Sequence, residues 1–183
     1  MVRTRSLGSR LPNNWLADTR GGPLITVLQS RSPTHERRQI MARFQQSTTF
    51  NAAPSTVYGY LTDITKHAEW SSHGLTVEKA SEGPVAVGST FNTVGKLMGT
   101  HHAVVTVTAL VPNERIGFES DDDTGHFRHQ FDIAARDGGS EVTKSVEPLR
   151  TSVVFKLLTP LLPLILPRGL AGDLKKIKER LDT

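Results

Sequence analysis

Along most of this chain apolar and polar side chains alternate in short bursts, a period of two that belongs to strands with one face buried. Such bursts cover residues 43–51, 75–80, 87–95, 100–111, 115–120, 125–135 and 140–149, which predicts a first strand and six later ones. The period lengthens to three and four in two places only. Val57, Leu61 and Ile64 share one helical face, and Leu170, Leu174, Ile177 and Leu181 share another. The predicted order is therefore strand, short helices, six strands, closing helix.

The punctuation agrees with the periodicity. Pro54 suits the first position of a helix, where its missing N–H would have no partner anyway. Asp63 or Thr65 can cap a second short helix that ends near Trp70. Turn residues separate most of the later strands: Glu82-Gly-Pro84, residues 96–99, Pro112-Asn113, Asp121-Asp-Asp-Thr-Gly125 and Asp137-Gly-Gly139. Links this short demand antiparallel neighbours, since a parallel crossover needs about a dozen residues or more. The sheet is thus expected to be a meander and not doubly wound.

The end of the chain has two characters. Residues 153–166 are nearly all apolar but include Lys156, Pro160 and Pro163, with Pro167 following. That run is shorter than the ~20 residues of a bilayer span, so contact with a membrane is allowed and a crossing is not. A kinked or broken helix packed on the sheet is expected. After Arg168 the apolar stripe carries Lys175, Lys176, Lys178 and Arg180 on its other faces, as in a helix that covers a core.

Charge changes the picture at the start of the chain. The formal net charge is +4 over 183 residues. Residues 1–40 hold seven arginines, no lysine and only Asp18 and Glu36, a net of +5, whereas the remainder carries −1. The globular part is therefore nearly neutral, and the basic balance is no nucleic-acid footprint. The leader is too poor in apolar residues to fold and reads as disordered. Met41 stands as the alternative start, and an organelle targeting segment is a third reading. One folded domain, 41–183, is expected. The absence of cysteine excludes thiolate chemistry and disulfides and suits a reducing, cytoplasmic location.

With these elements in order, residues 43–183 resemble the START-like (SRPBCC) superfamily, and within it the polyketide cyclase/dehydrase and lipid-transport group. The resemblance rests on Ala53-Pro54-x-x-Val57-Tyr58-x-x-Leu61-x-Asp63, Trp70, and Val87-Gly88-Ser89-x-Phe91. It continues through Val105-x-Val107, the turn Pro112-Asn113-Glu114-Arg115, and the helix carrying Leu174 and Leu181. It implies an α+β helix-grip fold: a bent antiparallel sheet wrapped around a long C-terminal helix, with a cavity between them. Members bind lipids, hormones or polyketides, and some catalyse cyclisation or dehydration. The matching residues are architectural, so they carry the fold further than the activity.

Parity places the candidate site residues. In 100–111 the odd positions His101, Ala103, Val105, Val107, Ala109 and Val111 are expected to face inward, as are Phe127, His129, Phe131 and Ile133 in 125–135. With Phe91, Phe118 and Glu147 these make the expected ligand-lining set: His101, Val105, Val107, Phe91, Phe118, Phe127, His129, Phe131 and Glu147. A histidine on an apolar face can act as acid or base near neutral pH, or orient a ligand. A histidine bonded to a neighbouring strand or set at a cavity rim is the plainer reading of both His129 and His101. In 140–149 neither parity is clearly apolar, so Glu147 and Lys144 are both candidates for the inner face, and Arg150 for the mouth.

No metal is expected: His101 and His102 point to opposite faces, and Asp121-Asp122-Asp123 lacks the spacing of a calcium loop. No cofactor motif occurs. The expectation is a carrier or binder of a small hydrophobic molecule. Its alternative is a cyclase or dehydratase using His129 as acid/base, with Glu147 or Arg150 orienting the substrate.

Overall fold

The computed structural model describes residues 43–96, 99–157 and 159–182. Residues 1–40, and with them the readings of the leader and of Met41, lie outside the described residues. Strands β1 (Phe44–Phe50), β2 (Thr76–Lys79), β3 (Thr90–Lys96), β4 (Thr100–Val111), β5 (Arg115–Asp121), β6 (Gly125–Arg136) and β7 (Gly139–Thr151) form one sheet. Helices α1 (Pro54–Thr62), α2 (His67–Trp70), α3 (Val153–Leu157) and α4 (Leu162–Leu181) complete the fold, with single 3-10 turns before α2 and before α4. The strand order is β1-β7-β6-β5-β4-β3-β2, with every neighbouring pair antiparallel. This is the expected meander, closed by β1 returning to the edge of β7.

Local chemistry accounts for the boundaries. Pro54 sits in the first turn of α1, and Asp63 accepts hydrogen bonds from the backbone N–H and hydroxyl of Thr65 (3.2 and 2.5 Å) to end one helix and start the next turn. Gly138, at φ +77°, takes the left-handed position in the two-residue link from β6 to β7. β3 begins three residues later than the alternation predicts. Residues 86–89 close a turn in which the Ala86 N–H reaches Ser89 Oγ (2.9 Å), and Val87 is left exposed.

Registers align the inward side chains in rows across the sheet. One row joins Val142 to Ile133, and the next joins Lys144, Phe131, Ile116 and Leu110. Beyond it lie Val146, His129, Phe118 and Val107, then Pro148, Phe127, Ser120, Val105 and Phe91. A bulge between Val107 and Ala109 shifts the alternation of β4. Leu110 consequently packs against the core while Val111 is 40% exposed, so the inward parity expected through Val111 ends at Val107.

α1 packs on β5 and β6, while α4 packs on β1, β7 and α2. Leu170, Leu174 and Ile177 of α4 are buried as their spacing predicts. The preceding segment departs from expectation. Leu162 is buried, but Val153, Leu157, Leu161, Leu164 and Ile165 stand in solvent instead of packing on the sheet. The prolines explain part of this. Pro160 falls in the 3-10 turn, Pro163 in the first turn of α4 and Pro167 within it, so the run cannot form one straight helix lying along the sheet.

Candidate functional site

The inner face of the sheet contains two environments, set by what covers it. Under α1, α2 and the later part of α4, the space is filled. Phe131 and Ile116 are fully buried, and Trp70 packs edge-on to Phe131 with ring centroids 5.7 Å apart. His67 lies between Trp70 (4.5 Å) and Phe118 (5.1 Å) and is 3% exposed. Its Nε2 is 3.1 Å from the Leu61 carbonyl, which can only accept, so Nε2 carries the proton and donates. Burial pushes the His67 imidazole down to about 3, the Leu61 bond opposing this and the nearby Lys144 charge adding to it.

Lys144 and Asp173 form the centre of this filled half. Both are buried and ion-paired to each other, strand to helix. The ammonium lies over the Trp70 ring at 4.5 Å and the Phe131 ring at 5.4 Å. Asp173 also accepts the Ser72 N–H at 2.9 Å, which ties the end of α2 to α4. Burial lowers the Lys144 amine from its ordinary value, and the Asp173 carboxylate works against that by favouring the charged form. Trp70 Nε1 is the buried side-chain polar atom without a hydrogen-bond partner among the described residues.

Along the next rows Val146, Phe118, Val107, Pro148, Val105 and Phe91 stay buried, and access is confined to the positions between them. His129 is inward, as parity predicts, and half-buried. It stacks on Phe118 (4.9 Å, 12° between planes), and its Nε2 is 3.1 Å from Ser120 Oγ on the neighbouring strand. Burial pushes its imidazole down to about 3, with the Lys144 charge as a further cause. Phe127, Ser120 and Ala103 are likewise half-buried on this face. His101 lies at its rim, with Nδ1 2.9 Å from Asp123 Oδ1. The interior expected to be hollow is thus occupied in one half, and its accessible part is the strip around His129, Ser120 and Phe127.

Several expected site residues move. Glu147 belongs to the outer face, 3.4 Å from Arg128, because Val142, Lys144, Val146 and Pro148 take the inward parity of β7. Lys144, not Glu147, is the inward ionisable group. Val105, Val107, Phe91, Phe118 and Phe131 are inward and buried as expected. Arg150 pairs with Asp121 at the surface (2.6 Å). Asp122 accepts bonds from Thr124 and Gly125 of its own turn, and no cluster that could hold a metal occurs among the described residues. His67 and Asp173 were not anticipated. Asp173 had a signal, an acid set between Leu170 and Leu174 on the apolar stripe of the closing helix.

Two concavities lie outside this interior. One of about 440 Å³ is lined by Lys175, Lys178, Glu179 and Asp182. The other, of about 480 Å³, lies on the outer face of the sheet between Val104, Thr106, Glu119 and His126.

Residues 41–182 match the family described as polyketide cyclase/dehydrase and lipid transport. The chain belongs to that family. No curated protein matches the sequence. Among solved structures, the family member is similar to the Zhui aromatase/cyclase of a Streptomyces species, with TM-score 0.65 and 14% identity over 77% of this chain and 93% of that one. A Thermus thermophilus protein gives TM-score 0.64 and 16% identity over 76% and 97%. A START superfamily protein of Mycobacterium smegmatis gives 0.63 and 12% over 76% and 98%. Identities this low speak for the fold alone: the helix-grip architecture is shared, and a particular activity is not transferred by them.

Proposed function

We propose that this family member binds or carries a small hydrophobic molecule, lipid- or polyketide-like, against the accessible strip of the inner sheet face. The observation that supports this reading is the contrast in packing along one continuous apolar face. It is filled around Phe131, Trp70 and Lys144 and left reachable around His129, Ser120 and Phe127. In such a site a few polar groups orient an otherwise apolar ligand. His129 and Ser120 are those groups, able to bond a hydroxyl or carbonyl. The lack of cysteine supports a cytoplasmic setting.

The alternative, a cyclase or dehydratase with His129 as acid/base, has less support. A general acid or base works best with a pKa near the operating pH, and His129 is held far below it, near 3. Glu147 and Arg150 sit on the surface and cannot assist. Lys144 is locked to Asp173 behind Trp70.

Native mass spectrometry of gently purified protein is expected to show an apolar molecule bound at one per chain. Ala103→Trp should abolish that mass increment by filling the strip while leaving the fold intact. A wild-type protein that is always empty, or an increment unaffected by Ala103→Trp, would refute the reading. Turnover of an offered polyketide mimic lost in His129→Ala, with binding kept, would establish the alternative.

A further inference from the structure

We propose that the segment running from α3 into the first turns of α4 docks onto the surface of an anionic lipid bilayer. Eight large apolar side chains are exposed among the described residues, and five of them, Val153, Leu157, Leu161, Leu164 and Ile165, fall in this one segment. Their exposures run from 49% to 76%. Single exposed apolar residues are ordinary, but a concentration of this kind marks a surface built to be covered.

Charge selects the occupant. Lys156 stands between Val153 and Leu157, Arg168 follows Ile165, and both are exposed. No Asp or Glu occurs between Glu147 and Asp173, and Asp173 is buried against Lys144. The acidic turn that reaches the start of α3, where the Ser152 N–H donates to the Thr124 carbonyl at 2.8 Å, has its carboxylates hydrogen-bonded already. Asp121 is held by Arg150 (2.6 Å), Asp123 by His101 (2.9 Å), and Asp122 by its own turn. Exposed apolar side chains with cations among and after them, and no acid within the segment, match the boundary between anionic headgroups and acyl chains. No helix among the described residues is long and apolar enough to cross a membrane, so the segment lies on the bilayer. This surface reading is independent of the ligand reading, since it requires no molecule in the strip.

Flotation of the full chain with phosphatidylcholine vesicles, with and without phosphatidylserine, tests it. The bound fraction should be about tenfold higher on the anionic vesicles and fall as salt is raised. The double variant L157S/I165S should lose about tenfold in binding, with its thermal midpoint unchanged because both side chains are already in solvent. That variant keeps the seven arginines of the leader. Undiminished binding would therefore assign the interaction to the leader and overturn the proposal. Equal capture by neutral and anionic vesicles would also overturn it. So would absence of capture, including a dimer that L157S/I165S dissolves, which would make the occupant a second copy. Ligand occupancy, read by mass spectrometry on the same samples, separates failure here from failure of the ligand reading.

Discussion

The two halves of the inner sheet face are built from the same strands, with the same alternation and nearly the same residue types, yet one is filled and the other is reachable. In the filled half, α2 and α4 bring Trp70, His67 and Asp173 down onto Phe131 and Lys144. In the other, Phe127, Ser120 and His129 keep partial access to solvent. The strands therefore do not decide which part of the inner face is covered. The helices do, by where their large side chains fall. A buried ion pair at the meeting point adds a second lesson: Lys144 and Asp173 hold the closing helix in register with β7, a role that isolated apolar contacts fill less specifically.

The sharpest way to break the contrast is to remove one member of that pair. Asp173→Ala should cost about 3–5 kcal/mol in urea unfolding because it strands the Lys144 charge, while the double replacement K144M/D173L should recover most of the loss. Equal stability of wild type and Asp173→Ala would show that the pair is not the anchor described. Phe131→Ala, at a fully buried position, is expected to cost about 3–5 kcal/mol. Phe127→Ala, half-buried, should cost well under that. Equal costs would erase the distinction between the halves.

Acid sharpens the comparison further. His67 is held neutral down to about pH 3, against 6.5 for the unconstrained imidazole. Between those values the unfolded state binds the extra proton and the folded state does not. Stability is thus full above pH 6.5 and lost as pH falls toward 3, by up to about 1.4 kcal/mol per pH unit for one such group. His67→Gln should remove that group's share of the slope in a series of urea melts from pH 7 to pH 4, leaving the share of His129, which is also held down to about 3. An unchanged slope would place the acid sensitivity elsewhere. His129→Gln, in the reachable half, should weaken retention of a bound ligand severalfold with only about 1 kcal/mol change in stability. Smallest of all, Glu147→Gln on the outer face should alter stability by under ~0.5 kcal/mol and leave ligand retention alone. A measurable loss of ligand would return Glu147 to the site.

Much of this fold was legible in the sequence because strands with one buried face announce themselves. The strand predicted at 100–111 is β4 from Thr100 to Val111, its alternation kept as far as Val107, and Asp137-Gly138 marks the turn from β6 to β7. His129 was assigned to the inner face by parity alone. What escaped depends on contacts between residues far apart in the chain. β7 alternates Val142, Lys144 and Val146 with Thr143, Ser145 and Glu147, and no local rule says which set is inside. Asp173, on a helix 29 residues later, decides it by pairing with Lys144. The shift in β4 comes from a bulge, and the exposure of the segment after β7 comes in part from how three prolines break it. An apolar run by itself reads as buried.

The central claim, that one half of the inner face receives an apolar ligand and the other does not, is tested most directly by mapping where an apolar probe binds. Amide shift perturbations on titration with anilinonaphthalene sulfonate should concentrate at Ala103, Ser120, Phe127 and His129 and leave Phe131, Ile133 and Val142 unmoved. Perturbations centred on the outer groove at Val104 and Thr106, or spread equally across both halves, would contradict it.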